Sequence, residues 1–145
     1  MIALLQRVSR ASVCVDNEII GKINKGLLVL LAVEPEDTKE NVQRLAQKVA
    51  KYRIFEDDNG KMNLNVEQVN GDILVVSQFT LAADTRKGLR PSFTSAASPQ
   101  MGDEYYQYFC RCLRELGFRV PTGQFGADMQ VALVNDGPVT IHLQG

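Results

Sequence analysis

The feature that most constrains this chain is an uninterrupted apolar run, GLLVLLAV, at residues 26–33. A strand with one face in water alternates apolar and polar side chains, whereas a strand covered on both faces reads as a continuous apolar segment. A second run, ILVV at residues 73–76, lies within a strand predicted at residues 72–80. Both are far shorter than the roughly 18 residues of a membrane-spanning helix. The two runs therefore predict central strands of a sheet that other elements cover.

Two predicted helices can supply that cover. The first is expected to begin at Asp37-Thr38, with Glu40 placed for a capping box with Asp37, and to end near Arg53. The second is expected to begin with Ser98 as the N-cap, directly before a proline, and to end at Gly117. Apolar residues recur at helical spacing in both segments, so each helix has one face for the core.

The remaining segments alternate apolar and polar residues, as strands with one exposed face do. They are residues 2–8, 12–15, 18–23, 129–133 and 139–143, with a tight turn at Asp16-Asn17. Strands thus precede, separate and follow the two helices. We predict one α+β domain over residues 1–145, in which two helices pack on a largely antiparallel, barrel-like sheet.

Charge and residue counts narrow the functional classes. The formal net charge is −1, so any contact with nucleic acid must come from a local patch. The three cysteines are an odd number and the first residues lack the layout of a signal peptide, which favours a reduced, cytoplasmic setting without membrane contact. The single histidine, His142, is expected to be a half-exposed strand residue. A hydrolase built on this chain is therefore expected to work without the usual histidine base.

Two short stretches carry unusual residues for a packed core. SQFT at residues 77–80 lies between an apolar run and a long irregular segment, residues 82–97, which is a common setting for a site. The alternative is a strand that simply leaves the core. NDGPVT at residues 135–140 reads first as a hairpin turn, because Asn, Asp and Gly tolerate positive φ. Pro138 fits that reading poorly, since it cannot donate to a strand ladder.

Charged residues give two further hints. Arg86, Lys87 and Arg90 lie within five residues in the irregular segment, where they could follow a phosphate backbone or simply be solvated. Arg7 interrupts an apolar strand, so it needs a partner or an exposed edge. The sequence has no phosphate-binding glycine loop and no HExxH or CxxC motif. Most cofactor-dependent enzymes are therefore not expected.

SQFTL at 77–81 together with NDGPVT at 135–140 resembles the motif pair of the D-aminoacyl-tRNA deacylases, also called D-Tyr-tRNA deacylases. The resemblance continues in QRVSRASV (6–13), YRIFEDDNGKMNLNV (52–66), LRPSF (89–93) and MQVALVNDGPVT (129–140). It covers essentially the whole chain in the family's order. Either motif alone is weak, but the two together over this length are specific.

The resemblance implies an enzyme that hydrolyses the ester between a D-amino acid and the 3′-terminal adenosine of tRNA, and so recycles mischarged tRNA. It implies a cytoplasmic homodimer without a metal or organic cofactor. Ser77, Gln78, Phe79 and Thr80 would line the pocket around the adenosine and the ester. Gly137-Pro138 would be a Gly-cis-Pro element that enters the pocket of the partner subunit.

The same resemblance implies supporting roles for four residues. Arg7 would hold the Gly-cis-Pro element, while Phe125, Met129 and Asn135 would support the site. Rigid carbonyls of that element could bind the α-ammonium of the substrate and leave no room for an L side chain. Glycine has no side chain to exclude, so glycyl-tRNA is an expected second substrate.

The chemistry of the reaction has two candidate routes. Thr80 is the obvious hydroxyl nucleophile, but no imidazole is expected near it. We favour a route in which the 2′-OH of the terminal ribose activates water or attacks, while backbone N–H groups stabilise the oxyanion. Two rival functions remain, a non-catalytic module that binds adenosine or an RNA end, and a general esterase that uses Thr80.

Overall fold

The long first strand organises the molecule. A computed structural model describes all 145 residues. The order of elements is β1 (Ile2–Val15), β2 (Glu18–Ile23), β3 (Gly26–Ala32), α1 (Lys39–Lys51), β4 (Phe55–Glu56), β5 (Met62–Leu64), β6 (Asp72–Ser77), a 3₁₀ turn (Phe79–Ala82), α2 (Pro99–Glu115) and β7 (Gln130–Gln144). Segments 2–8 and 12–15, predicted as two strands, are one continuous strand. None of the helices is long and apolar enough to span a membrane.

The main sheet is mixed and five-stranded. β7 runs antiparallel along the full length of β1, and β2 and β3 share the other edge of β1. β6 pairs with β3 in the parallel direction. The backbone of residues 119–123 then follows the free edge of β6, where Val75 N–H donates to Pro121 O over 3.1 Å and Gly123 N–H donates to Val75 O over 3.1 Å. The predicted class, two helices on a largely antiparallel, curled sheet in an α+β domain, is confirmed.

The two apolar runs are buried as predicted. On β3, Leu27, Val29 and Leu31 face the large core cluster that both helices complete, whereas Leu28 belongs to a second cluster on the opposite face. Because β3 is covered on both sides, it carries no polar alternation. The second cluster also receives Met129, Val131 and Leu133 from the region where β7 begins, so the sheet curls around it.

Both helices form where predicted, with a correction at the start of α1. Thr38 is the N-cap and shares a capping box with Asn41, so the predicted box of Asp37 with Glu40 is wrong. The Asp37 carboxylate instead accepts from the amino group of Met1 over 2.6 Å and from the Asn41 side chain over 2.8 Å, and it caps no backbone N–H of the helix. α1 ends at Lys51, slightly before the predicted end. The Ser98 cap and the positive φ of +97° at Gly117 agree with the prediction for α2.

The hairpin turn predicted at NDGPVT is absent. β7 continues through this stretch, but its register changes: Asn135 pairs with Val8 and Thr140 pairs with Gln6. Six residues of β7 therefore face three residues of β1, and the excess forms a bulge. The prediction failed because glycine and asparagine suit a bulge as well as a turn, and only the pairing partner distinguishes the two.

Candidate active site

The main cavity opens where β6 ends and α2 begins. Its volume is about 420 Å³, within the ordinary range for a small-ligand site. Sixteen residues line it, and they include five predicted site residues: Ser77, Gln78, Phe79, Phe125 and Met129. The structure thus brings together two segments that lie almost fifty residues apart in the sequence. No three His, Cys, Asp or Glu side chains cluster as metal ligands would.

The end of β6 presents its polar residues to this cavity. Ser77 still pairs with Leu31 on β3, and Gln78 N–H donates to Leu31 O over 2.8 Å. The chain then leaves the sheet and forms the 3₁₀ turn, so the strand predicted for residues 72–80 ends at Ser77. The N–H groups of Phe79 and Thr80, at the start of that turn, have no hydrogen-bond acceptor in the chain. Two unpaired backbone donors therefore stand at the end of the strand, as the first residues of a helix leave them.

Thr80 is placed differently from its three predecessors. Its side chain is exposed and does not line the cavity. The Thr80 hydroxyl oxygen accepts a short hydrogen bond from Nε2 of Gln78. The only histidine, His142, lies exposed on β7 and is not part of the cavity. The hydroxyl therefore has an amide neighbour but no imidazole base.

Phe125 and Met129 form the opposite wall and rest on two glycines that sequence analysis did not single out. The Phe125 ring lies 6.0 Å from the ring of Tyr106, and a Cβ at Gly102 would come within 3.3 Å of Cζ of Phe125. Sδ of Met129 lies so close to Gly123 that a Cβ there would be 2.6 Å away. The only available signal was an isolated glycine inside a helical pattern at position 102, which often has a packing reason.

The other predicted site residues, Arg7, Asn135, Gly137 and Pro138, gather at the bulge of β7 and not at the cavity. The Gly137-Pro138 peptide bond is cis. Nε of Arg7 donates to Asp136 O over 2.8 Å, and Nη1 of Arg7 donates to Ile54 O over 2.8 Å. Arg7 is only 6% exposed, and the partner that it was predicted to need is supplied by these two backbone carbonyls.

Asn135 ties the two ends of the bulge together. Its side-chain oxygen accepts from Val139 N–H over 2.7 Å, and its amide nitrogen donates to Oγ1 of Thr140 over 3.0 Å. With Arg7 on one side and Asn135 on the other, the main chain between them is fixed by side-chain hydrogen bonds in addition to the ladder. Gly137 and Pro138 themselves are exposed.

The predicted irregular segment, residues 82–97, contains no regular strand, and only Ala82, the last residue of the 3₁₀ turn, belongs to a helical element. The segment runs from the end of the 3₁₀ turn to Ser98 and Pro99, which line the cavity. Its one carboxylate, that of the half-buried Asp84, binds the Arg86 guanidinium through two hydrogen bonds of 2.9 and 2.8 Å. This contact lowers the pKa of Asp84 to about 2. In the large core cluster, burial raises the pKa of the Cys110 thiol on α2 to about 12.

Comparison with known proteins identifies the family. The family model described as D-Tyr-tRNA(Tyr) deacylase matches residues 4–144, which is nearly the whole chain. The chain belongs to the D-Tyr-tRNA deacylase family. This confirms the resemblance drawn from SQFTL and NDGPVT.

Curated relatives within the D-Tyr-tRNA deacylase family match end to end. A protein of Colwellia psychrerythraea (strain 34H) named D-aminoacyl-tRNA deacylase is 64% identical over 143 residues, and one of the same name from Shewanella baltica (strain OS195) is 65% identical over 144 residues. Each match covers 99% of this chain and 99% of the relative.

Two solved structures share the fold of this family member. A protein described as c-Myc DNA unwinding element binding protein superposes with a TM-score of 0.95 at 41% identity, covering 100% of this chain and 99% of that one. A probable eukaryotic D-amino acid tRNA deacylase superposes with a TM-score of 0.86 at 20% identity, covering 98% and 97%. The second likeness concerns the fold alone.

Proposed function

We propose that this protein is a hydrolase that cleaves the ester bond between a D-amino acid and the 3′-terminal adenosine of tRNA, in the cytoplasm. The observation that carries the proposal is that Ser77, Gln78 and Phe79 share one cavity with Phe125 and Met129 in a member of the D-Tyr-tRNA deacylase family. The family's curated relatives at 64–65% identity are named for this activity.

The cavity suits a nucleoside with an attached ester. Its walls are mainly apolar, with Phe79 and Phe125 among them, and aromatic rings are good partners for an adenine face. Ser77 and the Gln78 amide supply the polar groups that would orient the ribose and the ester. The free N–H groups of Phe79 and Thr80 are candidates for holding the oxyanion that forms when the carbonyl is attacked.

The route that best suits these groups uses the substrate's own ribose. A water oxygen bonds to the ester carbonyl carbon, its proton passes to the 2′-OH and on to the leaving 3′-oxygen, and the bond from the carbonyl carbon to the 3′-oxygen breaks. The products are the free D-amino acid and tRNA with an intact 3′-OH. Thr80 is a poor nucleophile by comparison, because it lies outside the cavity lining and has no base beside it.

Two measurements separate the routes. If the ribose supplies the chemistry, Thr80→Ala should retain most of kcat on D-Tyr-tRNA, and a substrate ending in 2′-deoxyadenosine should bind without being cleaved. Complete loss of turnover in Thr80→Ala with unchanged substrate binding would contradict this route and favour the threonine nucleophile.

Selectivity is assigned to the bulge of a second subunit. Gly137 and Pro138 do not line the cavity of their own chain, yet they are exposed and held by Arg7 and Asn135. One edge of β7 pairs with β1 and the other edge has no partner strand. A homodimer could therefore place the bulge of one chain in the cavity of the other, where main-chain carbonyls would bind the α-ammonium and exclude an L side chain.

The decisive experiment compares three substrates: D-Tyr-tRNA, L-Tyr-tRNA and glycyl-tRNA. The proposed enzyme should hydrolyse D-Tyr-tRNA and leave L-Tyr-tRNA intact. It should also hydrolyse glycyl-tRNA, because glycine has no side chain that the site could exclude. A binding module would cleave none of them, and a general esterase would cleave the D and L forms alike. Complete resistance of glycyl-tRNA would contradict exclusion as the basis of selectivity.

A further inference from the structure

Residues 83–97 form a closed excursion beside the cavity, here called the basic loop. Its base is sealed by two backbone hydrogen bonds, from Asp84 N–H to Ser92 O over 2.7 Å and from Ser92 N–H to Asp84 O over 3.1 Å. All residues from Thr85 to Arg90 at its tip are exposed. The loop is therefore a defined projection, since its two ends are held together.

The basic loop is anchored to the proposed adenosine site. The Phe93 ring packs on the Phe79 ring with 4.9 Å between ring centroids, and Phe79 lines the cavity. At its C-terminal end, Ala97 lines the same cavity, and Ala97 N–H donates to Val33 O over 3.0 Å. The C-terminal part of the basic loop is thus anchored at the cavity, and the exposed tip projects from that anchor.

The charge of the basic loop opposes that of the rest of the chain. It carries three cations and one carboxylate, a net charge of +2, in a protein whose net charge is −1, which leaves −3 elsewhere. Arg86 is already neutralised by Asp84. Lys87 and Arg90 make no ion pair and no side-chain hydrogen bond in the chain. Two cations at the tip are therefore free for an anionic partner.

We propose that Lys87 and Arg90 of the basic loop bind phosphates of the single-stranded 3′ segment of the tRNA, just behind the terminal adenosine. The inference rests on the proposed function, because it needs an adenosine in the cavity to fix the direction of the strand. An RNA strand that leaves the cavity past Phe79 and Phe93 meets the tip of the loop next. Exposed cations without a partner in the chain suit this role, because contacts to a phosphate backbone depend mainly on charge.

The test is the salt dependence of kcat/KM. Each phosphate contact on a single strand contributes about −0.7 to the slope of log affinity against log salt. Loss of two contacts in Lys87→Gln/Arg90→Gln should make the slope less steep by about 1.4. Between 50 and 200 mM salt, the fall in kcat/KM should therefore be roughly sevenfold smaller in the variant than in the wild type. The matched control is Lys48→Gln/Lys51→Gln, which removes two exposed cations from α1 and should leave the slope unchanged.

A phosphate-free substrate checks the cause. Both double variants should cleave 3′-O-D-tyrosyl-adenosine at the wild-type rate, because this molecule has no phosphate to bind. An unchanged slope in the loop variant would overturn the inference, as would a slope lost in the α1 control. If the loop variant lost as much kcat/KM on tyrosyl-adenosine as on D-Tyr-tRNA, the inference would also be overturned. The substitutions would then act on the cavity and not through phosphate contacts. A wild-type protein without activity on D-Tyr-tRNA would instead contradict the proposed function.

Discussion

Replacement of Arg7 should destabilise the protein and loosen its proposed selectivity element together. The Arg7 guanidinium is buried and donates to two carbonyl oxygens, Ile54 O and Asp136 O, each over 2.8 Å. In Arg7→Met the aliphatic stem is retained, so the change removes chiefly these two hydrogen bonds. A buried acceptor left without a donor costs about 1–3 kcal/mol. Since the Asp136 contact is only partly buried, we expect a loss of about 2–4 kcal/mol in the free energy of unfolding.

The matched control is Arg10→Met on the same strand. Arg10 is exposed, and its side chain makes no hydrogen bond or ion pair in the chain. Its replacement should change stability by no more than about 0.5 kcal/mol. Arg7→Lys should lie between the two, because lysine keeps the charge but cannot reach two carbonyls with a rigid fork.

The assay is urea unfolding of the wild type and the three variants at one protein concentration, since the stability of any dimer depends on concentration. The ratio of kcat/KM for D-Tyr-tRNA over L-Tyr-tRNA is measured alongside. We expect Arg7→Met to lower both the urea midpoint and this ratio, because Asp136 loses its anchor. A variant as stable and as selective as Arg10→Met would refute the role given to Arg7.

Three further outcomes are expected. A Cβ at Gly137, where φ is +144°, would lie 2.8 Å from the Val139 side chain. Gly137→Ala should therefore lower the ratio of kcat/KM for D-Tyr-tRNA over L-Tyr-tRNA about tenfold or more. The control Gly60→Ala, also at positive φ but in open space, should leave this ratio unchanged. His142→Gln should leave kcat/KM unchanged from pH 6 to 8, and any loss would mean that an imidazole takes part. The raised pKa of Cys110 means that the folded state keeps this proton more tightly than the unfolded state. The contribution of Cys110 to urea stability should therefore be constant below pH 9 and decline from pH 9 towards 12, by up to about 1.4 kcal/mol per pH unit. The decline in stability above pH 9 should accordingly be weaker in Cys110→Ala than in the wild type.

The apolar pattern was sufficient to predict the core of the fold. The run at residues 26–33 has no polar alternation because β3 has helices on one face and a second apolar cluster on the other. The two helices were found from their caps and periodicity. The start of α1 was misplaced by one residue, since Asp37 and Thr38 are both good capping residues and only the amino group of Met1 near Asp37 decides between them.

The site was predictable only in part. SQFT drew attention because polar residues follow an apolar strand, which is a local signal. The wall of Phe125 and Met129 has no such signal, and from the residues themselves nothing joined it to SQFT. Resemblance to a family named these residues; the fold brings them together because residues 119–123 follow the edge of β6 and carry the chain back to the end of that strand.

The projection of Gly137-Pro138 follows from strand register. Val8 and Gln6 on β1 fix Asn135 and Thr140 on β7, and a strand advances about 3.3 Å per residue. The two residues of β7 are thus held about 7 Å apart along the sheet, with four residues between them where a regular strand would have one. The extra residues of β7 cannot pair with β1, so they bulge out of the sheet. Arg7, the residue between the two anchors, pairs with Leu27 on β3 but has no partner on β7. Its side chain instead binds Asp136 O in the bulge. The pairing register of β1 and β7 thus forces the bulge, and the Arg7 side chain on β1 holds it in place.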